Sequence, residues 1–106
     1  MAKYLFQASY TLEGTRGLIK EGGSTRRATI EEMAKGLGGK LESMYYAFGE
    51  TDVFLIVDLP DAASAAAISL SVGAAGGARV TTIPLMTPEE IDVAAKKSVR
   101  YRAPGA

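Results

Sequence analysis

The 106-residue chain contains neither cysteine nor histidine. Without cysteine there is no disulfide, no thiolate nucleophile and no cysteine-ligated zinc, iron–sulfur cluster or haem. Without histidine the chain lacks the usual general base, the commonest transition-metal ligand and the proximal haem ligand. An excess of charge is missing too. Twelve basic and twelve acidic residues cancel, so no global field draws the protein to nucleic acid or to an anionic membrane. No apolar run approaches the roughly 20 residues of a membrane span, and Met1 to Gln7 lacks the apolar core of a signal peptide, so a cytoplasmic location is expected. Any chemistry falls to carboxylates, tyrosines, lysines, arginines or a bound organic molecule. No spacing of Asp and Glu suggests a magnesium site, and neither metal nor cofactor is expected.

What is present reads as one domain, long enough to bury roughly 60–70% of the surface of its unfolded chain. Lys3 to Leu12 alternates, with Tyr4, Phe6, Ala8, Tyr10 and Leu12 on one face and Leu5, Gln7, Ser9 and Thr11 on the other, which predicts a strand. Glu13-Gly14 ends it, and Thr15 to Lys20 reads as a short helical turn. A helix follows from Ser24 or Thr25 to Leu37. Ile30, Met33, Ala34 and Leu37 form its apolar stripe, Ser24 or a Thr29–Glu32 capping box starts it, and Gly38-Gly39 stops it. Lys40 to Phe48 predicts a second strand, placing Leu41, Ser43, Tyr45 and Ala47 on one face. Gly49-Glu50-Thr51 supplies a hairpin turn.

Val53 to Val57 is apolar on both faces, as suits a strand in mid-sheet. Pro60-Asp61 opens an alanine-rich helix to about Ala75, and Arg79 to Leu85 predicts a fourth strand in which Pro84 demands an edge position. Thr87-Pro88-Glu89-Glu90 starts a last helix to about Lys97. The domain is therefore predicted to span residues 1–97, with 98–106 a flexible tail.

The order is that of an α+β, ferredoxin-like βαββαβ fold with an added C-terminal helix: a four-stranded antiparallel sheet, strands one and three central, helices on one face. The second face would carry Leu5, Phe54 and Ile56 uncovered, an apolar patch that monomers rarely tolerate. Face-to-face pairing of two sheets buries it, so the chain is predicted to be a homo-oligomer.

These residues resemble the GYD-domain family. The resemblance runs through Tyr10-Thr11, Glu13-Gly14, Arg27, Gly38-Gly39, Tyr45, Gly49 with Asp52, Pro60-Asp61, Gly77 and Thr81-Thr82. In the hairpin that gives the family its name, this chain has Gly49-Glu50-Thr51-Asp52, with threonine where the family carries tyrosine. The resemblance implies a dimeric α/β barrel, an architecture shared with antibiotic-biosynthesis monooxygenases, muconolactone isomerases and chlorite dismutases. It transfers no activity.

Several residues are candidates for a site. Tyr45 is either a hydrogen-bond donor to a ligand or an aromatic filling an interface. Asp52 is either a general base or an acceptor for turn amides. Arg26 and Arg27 oppose the dipole at a helix start, which marks Arg27 as a candidate anion-binding or intersubunit group. Gly76-Gly77-Ala-Arg79 follows a helix and precedes a strand, the reverse of what a phosphate cradle needs. The basic Lys96–Arg102 run reads as a solvated tail.

Three functions are compatible with this sequence. In the first, an oligomer binds a small, partly apolar molecule in the barrel cavity, through Tyr10, Arg27, Tyr45, Asp52 and Thr82 as polar groups and Phe54 and Ile56 as apolar ones. The second is a cofactor-independent oxygenase or isomerase acting on a small aromatic or carbonyl anion, with Asp52 or a tyrosinate as base. The third is a structural or protein-interaction oligomer with a filled barrel.

Overall fold

Strand β1 runs from Ala2 to Tyr10 and is followed by helices α1 (Leu12–Glu21) and α2 (Gly23–Gly36). Strands β2 (Lys40–Tyr46) and β3 (Val53–Leu59), helix α3 (Ala62–Ala75), strand β4 (Ala78–Leu85) and helix α4 (Pro88–Ala95) complete the chain. This is a computed structural model describing residues 1–106. The four strands form one open antiparallel sheet in the order β2-β3-β1-β4, with β1 and β3 central. Pro84 lies in edge strand β4, opposite Tyr4, where a missing amide leaves no central ladder unpaired.

Alternation along β3 decides where the core lies. Val53, Leu55, Val57 and Leu59 are buried, whereas Phe54, Ile56 and Asp58 are only partly covered. The buried set joins Tyr4 and Phe6 of β1 with Ile30 and Ala34 of α2 and Ala65 and Ile68 of α3 in one cluster. Helices therefore cover a single face. On the other, Ile56, Leu5 and Ile83 stand side by side across β3, β1 and β4. Lys3 closes one end of that face, its ammonium 2.8 Å from Asp58 and 3.0 Å from Glu42. The two carboxylates, Asp58 foremost, raise the Lys3 pKa above the ordinary lysine value.

Several sequence expectations are corrected. The first strand stops at Tyr10, and Leu12 leaves the core face to begin a ten-residue helix. The cause is Thr11. Its backbone N–H donates to the Gly77 carbonyl (3.0 Å), and its hydroxyl accepts from Gly14 N (3.2 Å) as a helix cap. Glu13 in the first turn and Lys20 in the last complement the dipole, which helps the helix tolerate Gly14 and Gly17. Helix α2 starts at Gly23 without a side-chain cap, so neither Ser24 nor Thr29 caps it. Gly22, at φ +86°, makes the corner from α1, and the Thr29 hydroxyl donates back to the Thr25 carbonyl inside the helix.

The second strand ends at Tyr46 rather than Phe48, and a bulge between Leu41 and Ser43 resets its faces. Leu41 consequently points to the core beside Met44 and Tyr46, while Ser43 and Tyr45 pair with Ile56 and Phe54 on the open face. The hairpin link is longer than a tight glycine turn: Ala47 N donates to the Asp52 carbonyl (2.8 Å) and leaves Phe48 exposed. Asp61 and the Thr87–Glu90 capping box start α3 and α4 as predicted, and α4 ends at Ala95 rather than Lys97.

Candidate functional site

Small residues on facing elements leave room between helices. On α1, Gly14 and Gly17 lie one turn apart. Gly14 sits so close to Gly77 that an added Cβ would overlap the Gly77 carbonyl oxygen, whereas at Gly17 it would meet nothing within 4 Å. Opposite them, Ser71, Val72 and Ala75 belong to the last turns of α3. The result is a cleft of about 350 Å³ floored by Tyr10 and Ala78 at the ends of β1 and β4. That volume is at the lower end of the range for small-molecule sites.

Beneath the cleft lies a second gap of about 60 Å³ between sheet and helices, lined almost wholly by apolar side chains, among them Phe6, Ile30, Met33, Leu55 and Ile68. Tyr10, Arg26, Val72 and Ala78 line both spaces. The inner gap thus adjoins the outer cleft, with Tyr10 and Arg26 among the residues between them.

The electrostatics of the mouth are set by Arg26. Its Nη1 lies 3.7 Å from the Glu21 carboxylate, both side chains being partly exposed. Glu21 ends α1 and Arg26 occupies the start of α2, so the corner at Gly22 brings them together. This pairing offsets the unfavourable position of a cation at a helix N-terminus. Tyr46 lies close by and donates to the Gly23 carbonyl at 3.4 Å. Burial, and next the neighbouring Tyr10, push its pKa above the ordinary phenol value. Tyr46 is accordingly a neutral donor at physiological pH.

The seven residues singled out in the sequence do not converge. Tyr10 is in the cleft. Arg27 and Tyr45 share a separate shallow depression with Ser24 and Tyr46. Phe54 and Ile56 are on the open sheet face beside Gln7 and Leu5. Thr82 is on the covered face, its hydroxyl hydrogen-bonded to Ser69 of α3. The Asp52 carboxylate accepts from Tyr10 N at 2.8 Å while its own N–H donates to the Ala8 carbonyl at 2.9 Å. Asp52 thus ties the hairpin to the end of β1, accepting from a distant strand amide rather than from amides of its own turn.

Sequence reasoning missed Arg26, Gly17, Leu18 and the α3 side of the cleft. The signal was there in Gly14-x-x-Gly17, since two glycines one helical turn apart strip one face of side chains. No group of three acidic side chains comes together as a metal site, and no helix is long and apolar enough to cross a membrane.

A four-stranded sheet with one helix-covered face, one open face and a cleft between its helices defines a small α+β domain. Residues 4–95 match the GYD domain; the chain belongs to the GYD-domain family. No curated protein and no solved structure matches it.

Proposed function

We propose that this protein is a ligand-binding homodimer that holds a small, partly apolar molecule between its helices and the covered face of the sheet. The observation that carries this reading is the adjacency of the cleft and the apolar gap, which share Tyr10 and Arg26 in their walls. The inner gap excludes polar groups and admits a methyl, a ring edge or a short chain. The outer cleft accommodates a carbonyl or an anionic group, which Tyr10 and Arg26 can meet as donors.

The same reading assigns the strand order to a ferredoxin-like plan and pairs the open faces of two copies into a dimeric α/β barrel. The row of Ile56, Leu5 and Ile83, flanked by the Lys3–Asp58–Glu42 cluster, supports such a pairing. Tyr45, Phe54 and Ile56 then serve self-association, and the ligand sits on the helix side. A catalytic reading finds less support. The carboxylate proposed as base is occupied by a backbone amide, and the Tyr46 phenol beside the cleft is held neutral.

A thermal-shift screen of small phenols, quinones, short acyl carboxylates and amides tests the proposal. Some of these raise the melting temperature of the wild-type chain, and Gly17→Leu, which places a side chain in the cleft, removes the effect while the variant remains folded. No stabilisation across the whole panel, or stabilisation that survives Gly17→Leu, contradicts it.

A further inference from the structure

The C-terminal arm, Met86–Ala106, is well specified locally yet is exposed over almost its whole length. Thr87 and Glu90 form a reciprocal capping box with Pro88 in the first turn, so the start and direction of α4 are fixed. Every residue from Pro88 to Ala106 is nevertheless exposed. Met86, Ile91, Val93, Val99 and Tyr101 present large apolar side chains at 52–78% exposure. An eight-residue helix is well below the roughly 12–15 residues at which isolated helices become even marginal in water. Its persistence calls for a surface to pack on.

Global dimensions point the same way. The accessible surface is 7503 Å², whereas a folded monomer of 11.1 kDa is expected near roughly 5,700 Å². The excess, about 1,800 Å², is more than the roughly 800 Å² that each partner buries in a standard interface. The radius of gyration is 16.8 Å, against about 13 Å for a compact chain of this length. The fully exposed arm from Pro88 to Ala106 contributes to this excess, which is surface available to a partner.

We infer that the arm clasps a second copy of this chain, lying along the β2 rim of the partner's sheet, where Tyr45 and Phe48 remain exposed. The inference rests on the homodimer reading above and adds what holds the dimer together. A second copy satisfies both unmet surfaces at once: the two bare faces meet, and by two-fold symmetry each β2 rim receives the other chain's arm. Reach permits it. Helix α4 is about 12 Å long and residues 96–106 extend up to roughly 36 Å, enough to cross the 33 and 22 Å shorter dimensions of the molecule.

Because the chain has no cysteine, a single Val99→Cys substitution carries a nitroxide label unambiguously. Labelled chains without isotope are mixed with ¹⁵N chains lacking the label, and paramagnetic broadening on the ¹⁵N chains is read. In parallel, the dimer dissociation constant of the full chain is measured by sedimentation velocity with and without Ile91→Ser, Val93→Ser and Tyr101→Ser together. These side chains are exposed, so the protomer fold is retained, as circular dichroism checks. The expected result is intermolecular broadening around Tyr45 and Phe48 and a dissociation constant raised at least about tenfold. A dimer that persists with its dissociation constant within twofold and no intermolecular broadening overturns the arm and leaves the homodimer reading standing. Broadening seen only in a second sample, in which the ¹⁵N chain itself carries the label, means an arm folded back on its own domain and also overturns the inference. A monomer at all concentrations overturns both.

Discussion

Asp52 illustrates how one residue passes from chemical candidate to structural fastener. In the sequence it is a carboxylate beside a glycine turn, compatible with a base or a turn acceptor. In the fold it takes the Tyr10 amide proton and secures the point where β1 gives way to α1. Asp52→Ala leaves that amide without an acceptor and is expected to cost about 1–3 kcal/mol, a fall of several degrees in melting temperature. Asp52→Asn keeps an acceptor oxygen and is expected to cost less. Chemical denaturation of the two variants checks the order, and equal losses would contradict the assigned role. Tyr46 gives a pH signature. Its pKa is raised in the folded state, so its contribution to stability is complete below the ordinary phenol value of 10.0 and disappears as pH rises through the higher folded value. Lys3, also raised, is lost in the same direction above 10.5. Urea midpoints measured from neutral to strongly alkaline pH should fall, and Tyr46→Phe should reduce the fall without abolishing it, the remainder belonging to Lys3. An unchanged alkaline slope in Tyr46→Phe would contradict this account.

At the scale of elements, what could be read from the sequence was whatever depends on neighbours along the chain. The stripe of Ile30, Met33, Ala34 and Leu37, the Asp61 and Thr87 caps and the edge proline are local patterns, and each is realised as read. Features that depend on a distant partner were hidden. The early end of β1 depends on Gly77, 66 positions beyond Thr11, and no periodicity near Leu12 records that contact. The bulge between Leu41 and Ser43 inserts one residue into an otherwise regular alternation, so the faces of Leu41 and Tyr45 separate although both occupy odd positions. The cleft was half legible for the same reason, since Gly14-x-x-Gly17 marks a bare stripe on α1 but not the alanine-rich α3 that faces it. Gly14 and Gly17 test this division. Gly14→Ala drives a methyl into the Gly77 carbonyl and, as a backbone clash, is expected to cost about 2 kcal/mol or more. Gly17→Ala meets open space inside a helix and should be neutral or stabilising by up to about 1 kcal/mol. Thermal unfolding of the two variants distinguishes them, and the reverse ranking would mean that α1 does not pack on the α3–β4 corner.

For the whole molecule, the two faces of one sheet have different surroundings, one covered by helices and one bare. The covered face is a core of modest size left unfilled at one corner, where Tyr10 and Arg26 meet the cleft. The bare face and the exposed C-terminal arm are the surfaces that the proposed second copy would cover. Strand patterning already separated these faces in the sequence, because Phe54 and Ile56 alternate with Val53, Leu55 and Val57. It could not say that a vacant space lies under the helices. Amide chemical-shift mapping of the intact ¹⁵N-labelled protein with a compound that stabilises it tests that placement directly. The account predicts perturbations concentrated at Tyr10, Leu18, Arg26, Val72 and Ala75, and their loss in Gly17→Leu. Perturbations centred instead on Leu5, Phe54, Ile56 and Ile83 would place the ligand on the open face and contradict it.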